Sequence, residues 1–345
     1  MAGKNKQTHV LCLRFSALGD VAIAAVVLKA YAQENKEVQF TFAGPPIPAP
    51  LFEGLANLAY LPLDRKQPVR LLLRQLKTVN PTHIADLHSV LRTFLLRTAF
   101  FFKGVPVTFL HKGRGARRRL LAGHRLPSRC LPASHLSVRS GAPATLKPMY
   151  LRYADVLEKL GFTAPSFDLT DIIPLPPAPW KKVGIAPFAR HRGKQWSPER
   201  MREIARRLAE QGTFVYLFGG GTEEITQLKE WTKDHRHIQL GSGVEEPGCF
   251  RSQLAAMAAL EVMISMDSAN MHFASALRIP VLSVWGATHP KAGFYGYRQD
   301  PAGAIQLPLN CRPCSIYGAG TCRRGTHECL ENLTVEHVMS YVRKK

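Results

Sequence analysis

ISMDSANMHFASALRIPVLSVWGATHP, residues 264–290, leaves an apolar run at Asp267, opens a helical stretch at Ser268 and enters a second apolar run, PVLSVWG (280–286). Short continuous apolar runs suit strands buried on both faces, and strand–helix–strand order implies a parallel βαβ unit. Outward from this stretch the pattern repeats. Strands are predicted at KVGIAPFA (182–189), TFVYLFG (213–219), HIQL (237–240) and EVMISM (261–266), and helices at 197–211, 222–234, 249–260 and 268–277. Ser197-Pro198 and Thr222 supply helix starts with a side-chain cap, and at the former with proline in the first position. Five strands with intervening helices make a doubly wound sheet, whose ligands sit beyond the carboxyl ends of its strands.

The first half shows the same alternation. HVLCLRF (9–15), VQFTFAG (38–44) and THIADLH (82–88) read as strands, with helical runs at 21–35 and 89–101. The stretch 104–148, rich in Gly, Pro and Arg, is expected to be mostly loop. IPLPPAPW (173–180) breaks the pattern and suits a stiff linker. The expected division is therefore a Rossmann-like domain over 1–172, the linker over 173–180 and a second Rossmann-like domain over 181–330. A terminal helix over 331–345 is expected to pack back across the junction. Two such domains would face each other across a cleft.

With 345 residues, 46% hydrophobic and 21% charged, the chain has the balance of a globular protein with two cores. The most apolar stretch, HSVLRTFLLRTAFFFKG (88–104), is broken by Arg92, Arg97 and Lys103, which argues against a bilayer span. No secretory signal is visible at the start, so a cytoplasmic protein is expected. Net charge is +21, and from Arg65 to Arg152 there are 18 basic residues against one acidic residue, Asp86. Such a field draws anions: nucleic acid, an anionic membrane surface, or a phosphorylated or carboxylated substrate. The arginine-rich stretch HKGRGARRRLLAGHR (111–125) has no Phe, Tyr or Trp to stack bases, which counts against nucleic acid.

Three constellations could carry chemistry. In RFSALGD (14–20), Asp20 reads plainly as a helix cap and, alternatively, as a general base at a strand's carboxyl edge. In APFARHRGKQWSPE (186–199), Lys194 is either a solvated lysine or a phosphate contact ahead of a helix start, and Trp196 is read as packing. In the opening stretch, Asp267 alone is a cap and His272 alone a core histidine. The amides of 268–270 are placed to meet a diphosphate. Cys311, Cys314, Cys322 and Cys329 form a C-x2-C pair with two neighbours, which is compatible with a structural zinc site.

FSALGD, GKQWSP, MDSANMHFASALRIP and WGATHP, in that order, resemble the motifs of glycosyltransferase family 9, the lipopolysaccharide heptosyltransferases. Ala269 stands where that family has glycine. The resemblance implies a GT-B type fold and an inverting transfer of a heptose or related sugar, with ADP-heptose the favoured donor. It implies Asp20 as catalytic base, and Lys194, Asp267, Ser268, Ala269 and His272 as the donor site, with no cofactor required for catalysis. An anionic, lipid-linked saccharide acceptor would meet Arg114, Arg117, Arg118, Arg119 and Arg125 at the inner face of the inner membrane, with the protein peripherally attached. The other readings are a nucleotide-sugar epimerase on the same scaffold and a non-enzymatic polyanion binder.

Overall fold

The computed structural model describes residues 7–122, 145–167, 170–246 and 248–342. The chain divides into two compact units, residues 1–112 with 149–170 and residues 113–148 with 171–345. Each is built on one parallel sheet.

In the first unit, β1 (His9–Leu13), β2 (Gln39–Gly44), β3 (Leu58–Pro62), β4 (His83–Asp86) and β5 (Val107–Phe109) lie in the order β3-β2-β1-β4-β5. All four pairings are parallel. The central strand β1 is apolar from Val10 to Leu13 and fully buried there, as a strand covered on both faces must be. After it comes α1 (Leu18–Glu34), apolar on nearly every side, so that it needs cover all round. Between β3 and β4 lies α2 (Val69–Thr78), and α3 (Leu91–Phe101) follows β4. The next helix, α4 (Arg114–Ala122), belongs to the second unit, while α5 (Met149–Glu158) belongs to the first and packs on α1. The region expected as loop thus holds β5 and α4. A three-residue strand and a helix with one buried apolar side chain, Leu120, give little periodicity to read.

The second unit holds β6 (Lys182–Ala186), β7 (Phe214–Leu217), β8 (Ile238–Leu240), β9 (Val262–Met266), β10 (Val281–Val284) and β11 (Ala304–Ile305), ordered β11-β10-β9-β6-β7-β8. Its further helices are α6 (Pro198–Glu210), α7 (Thr222–Trp231), α8 (Phe250–Ala258), α9 (Ala269–Ala276), α10 (Glu328–Glu331) and α11 (Val335–Val342). Ser197 caps α6 as its sequence predicts, accepting from the Arg200 amide at 3.2 Å with Pro198 in the first turn. At α7 the cap position falls on Gly221, and the Glu224 carboxylate accepts from the Gly220 amide instead. The Pro-rich segment is fastened to this unit: the Ile173 amide donates to Arg298, and the carbonyl of buried Trp180 accepts from the Thr213 hydroxyl. α11 packs on α6. Arg200 and the indole of Trp196 both donate to the Leu333 carbonyl just ahead of α11.

The two doubly wound parallel sheets are those of a GT-B type fold.

Candidate functional site

In the first sheet the winding direction reverses between β1 and β4, and such a point is where an open parallel sheet receives ligands. The residues just past these two strands form one polar cluster. Asp20 sits in the first turn of α1, yet it does not cap the helix, because Ala17 occupies that position. Its carboxylate instead accepts from the Arg14 guanidinium at 2.5 Å and from the Tyr153 hydroxyl at 3.2 Å. Arg14 also donates to the Leu87 carbonyl at 2.6 Å, which ties the end of β1 to the end of β4. Tyr153, wholly buried on α5, has its pKa pushed well above 10 by burial, so it stays a neutral donor.

His88 completes the cluster. Its Nδ1 faces the Phe15 amide at 3.4 Å and its Nε2 faces the Ser16 hydroxyl at 3.0 Å. The amide can only donate, so Nδ1 is the acceptor and Nε2 carries the proton. Burial first, then the charges of Arg14 and Lys112, hold its pKa down to about 3, so it is neutral at physiological pH. The neighbouring Asp86 is structural. It is fully buried, accepts from the His88 and Ser89 amides and pairs with Arg97 at 3.1 Å.

In the second sheet the reversal falls between β6 and β9. Lys194 ends a short 3-10 turn, Arg192–Lys194, in the connection from β6 to α6. Its ammonium meets the Asp267 carboxylate, at the end of β9, at 2.8 Å. The same carboxylate oxygen accepts from the Thr288 hydroxyl at 2.7 Å. Ser268 follows in extended conformation as the residue ahead of α9 and makes no side-chain cap, so that helix start is not spent on its own cap. Ser268 and Ala269 are half-buried, and His272, one turn further along α9, is 7% exposed. Lys194, Asp267, Ser268 and Ala269 are thus gathered at one strand edge, with His272 on the same helix.

Three backbone segments lock this edge. The Ala287 amide donates to Gly193 at 2.7 Å and the Gly193 amide to Gly318 at 3.2 Å. A Cβ on Gly286 would lie 2.4 Å from the Gly193 carbonyl, so a side chain there would force the segments apart. Arg312, buried, spends its guanidinium on the carbonyls of Gly286, Leu307 and Thr288, clamping the cysteine-bearing stretch beneath the site.

Among the described residues no three His, Cys, Asp or Glu groups are placed so as to hold an ion, so the zinc reading of Cys311, Cys314, Cys322 and Cys329 gains no support from the geometry. Cys314 donates to the Ala287 carbonyl at 3.7 Å, Cys322 accepts from the His327 amide at 3.4 Å, and Cys329 is buried in the apolar core. Burial, and after it the charges of the neighbouring cysteines, raises the Cys329 thiol to about 11 and also raises that of Cys314.

The arginines proposed from sequence scatter. On α4, Arg114, Arg118 and Arg119 are exposed. Arg117 is turned inward onto the Tyr317 ring, 5.4 Å from its centroid, and donates to its hydroxyl. Arg125 lies outside the described residues. Arg14, His88, Tyr153 and Thr288 were not singled out from sequence. Arg14 is next to last in one predicted strand and His88 last in another, a positional signal that was available, whereas Tyr153 is brought to Asp20 only by helix packing.

Residues 148–318 match glycosyltransferase family 9 (heptosyltransferase). The chain belongs to glycosyltransferase family 9. Over 127 residues this family 9 chain is 32% identical to lipopolysaccharide heptosyltransferase 1 of Pseudomonas aeruginosa, covering 35% of the chain and 32% of the relative. The match therefore spans about a third of that curated relative's length. In fold, the family 9 chain is similar to E. coli heptosyltransferase WaaC with ADP, at TM-score 0.65 and 17% identity over 97% of this chain and 99% of that one. It is likewise similar to E. coli ADP-heptose lps heptosyltransferase II, at TM-score 0.66 and 17% identity over 97% of each chain. The family match takes in Lys194 and the α9 edge, while Asp20 lies ahead of it.

Proposed function

We propose that this family 9 chain is an inverting glycosyltransferase that moves a heptose or related sugar from a nucleotide-diphosphate donor, ADP-heptose by preference, to an anionic lipid-linked saccharide. One observation carries the reading: the two carboxylate–cation pairs expose opposite partners. In the first unit the Asp20 side chain is 15% exposed and Arg14 8%; in the second Lys194 is 17% exposed and Asp267 3%. The first pair offers water-facing negative charge held in fixed orientation, suited to take a proton from an attacking hydroxyl. The second offers positive charge beside an uncapped helix start, suited to a departing diphosphate.

In this mechanism the acceptor oxygen bonds to the anomeric carbon as the bond from that carbon to the diphosphate breaks. Asp20 receives the hydroxyl proton, and the anomeric configuration inverts. Asp267 and Thr288 hold Lys194 in place, while its ammonium, with three donors, keeps others for phosphate oxygens. The charge of the leaving group is thus met by the chain's own lysine and amides. The acceptor and the protein would meet at the cytoplasmic face of the inner membrane.

Asp20→Asn tests the reading. Transfer from ADP-heptose should fall by on the order of 10²–10⁴-fold, the range a general base supplies, with donor affinity retained. Affinity would be followed as thermal stabilisation by ADP-heptose against UDP- and GDP-sugars. Transfer at the wild-type rate in the variant would remove Asp20 from the chemistry.

A further inference from the structure

α3 presents an apolar face that the described residues leave open. Leu91, Phe94, Leu95, Phe101 and Phe102 are 76%, 47%, 47%, 62% and 82% exposed. At about 100° per residue these five share one stripe, whereas Thr93, Leu96 and Phe100 point the opposite way into the unit. Arg92 and Arg97 fall on the two flanks between the stripes. Phe109, at the end of β5, is 48% exposed and carries the Arg97 guanidinium 3.8 Å over its ring. Contiguous exposed apolar surface of this kind marks a place where water is displaced by something else.

The charge around the face says what that is. Residues 65–112 contain nine Lys and Arg and one acidic residue, Asp86. Asp86 is fully buried and already paired with Arg97, so it presents no negative charge outward. Arg70, Arg74 and Lys77 on α2, which packs against α3, are exposed, as is Lys103 just past its end. A second copy meeting this face by a two-fold axis would set the same basic patch against itself. An anionic bilayer supplies both missing complements, an apolar interior for the rings and negative headgroups for the rim.

We propose that α3 is an in-plane docking helix by which this protein sits on an anionic lipid surface, and that this helix, not the arginine-rich segment 111–125, is the seat of membrane contact. The helix has 11 residues, and no helix among the described residues is long and apolar enough to cross a membrane, so the contact is peripheral. The inference deepens the proposed function by placing the surface that carries a lipid-linked acceptor, but its readout needs no sugar transfer.

The test is flotation of the full chain with vesicles of phosphatidylethanolamine and phosphatidylglycerol, against vesicles of phosphatidylcholine alone. The wild-type chain should float with the anionic vesicles, less as salt rises, and weakly with the zwitterionic ones. Phe101→Ser with Phe102→Ser should lower that partition by at least about tenfold, from the lost burial of two rings. Thermal melting and transfer to a delipidated acceptor should be unchanged, since both rings lie more than half in water. Leu91→Ser with Leu95→Ser should repeat the loss. A wild-type chain that stays at the bottom of the gradient, or serine variants that float as well as it does, would overturn the proposal. So would a wild-type dimer in sedimentation that the Phe variants split, which would give the face to a second copy. Flotation without any sugar transfer would leave the docking helix standing and remove the transferase reading instead.

Discussion

The Arg14–Asp20 and Lys194–Asp267 pairs occupy equivalent places in two sheets of like design, each past a central strand where the winding reverses. They differ in which partner is sealed. Around Asp20 the neighbours are donors from two other segments, Arg14 and Tyr153, and the carboxylate keeps the wetter edge. Around Asp267 the carboxylate is the sealed member, closed in by Thr288 and by its position at a strand end. An ion pair at a ligand-receiving edge therefore does not declare its role by its composition. Burial of one partner decides whether the other is offered as a base or as a cation.

The largest effect after loss of Asp20 should come from Lys194→Met, which strands a carboxylate that is 3% exposed. Removing one member of a buried pair costs about 3 kcal/mol or more, and urea denaturation should show it together with weakened donor binding. Adding Asp267→Asn should recover most of the stability but none of the binding. A loss under about 1 kcal/mol in the single variant would mean that Asp267 is as well solvated as Asp20, and the contrast between the pairs would collapse.

His88 gives an intermediate, pH-dependent effect confined to the first unit. Its folded pKa, about 3, lies below the ordinary 6.5, so between these values the unfolded chain binds one more proton than the folded one. Stability should therefore be fully present above about pH 6.5 and fall as pH drops, by up to about 1.4 kcal/mol per pH unit from this group. His88→Gln should flatten that part of the stability–pH curve. An unchanged slope would show that His88 is protonated in the fold and does not donate to Ser16 as a neutral ring.

Smallest is Tyr153→Phe, which removes one hydrogen bond to Asp20 and keeps the ring in its buried place. About 1 kcal/mol of stability and a several-fold slower transfer are expected, with the donor KM unmoved. A larger effect on donor binding than on turnover would indicate that Tyr153 serves the nucleotide sugar and not the base.

Much of this was legible in the residues. The βαβ alternation and the Ser197 cap follow from apolar periodicity and helix-start chemistry, whereas the grouping of Lys194 with the β9 edge came from the family 9 resemblance. Asp20 was visible as a residue but not in its setting, since the plain cap role belongs to Ala17. Tyr153 lies 133 residues from Asp20, and no local pattern encodes a meeting made by α5 packing on α1. The cysteine spacing suggested a metal because spacing carries no direction. Of the four, Cys314 reaches a carbonyl, Cys322 an amide and Cys329 the core.

The first unit is assembled from two stretches separated by residues 113–148, which belong to the second. As the chain leaves the ribosome, α1 is made long before α5, the helix that packs on it. Until about residue 158 has emerged, Tyr31 lacks the Ala154 carbonyl to which its hydroxyl donates, and Asp20 lacks Tyr153. A fragment cut at residue 112 would keep all five strands of its sheet yet leave α1 partly unclothed, and should aggregate. The smallest soluble piece of this half must run on through α5, carrying along the residues that the other half claims.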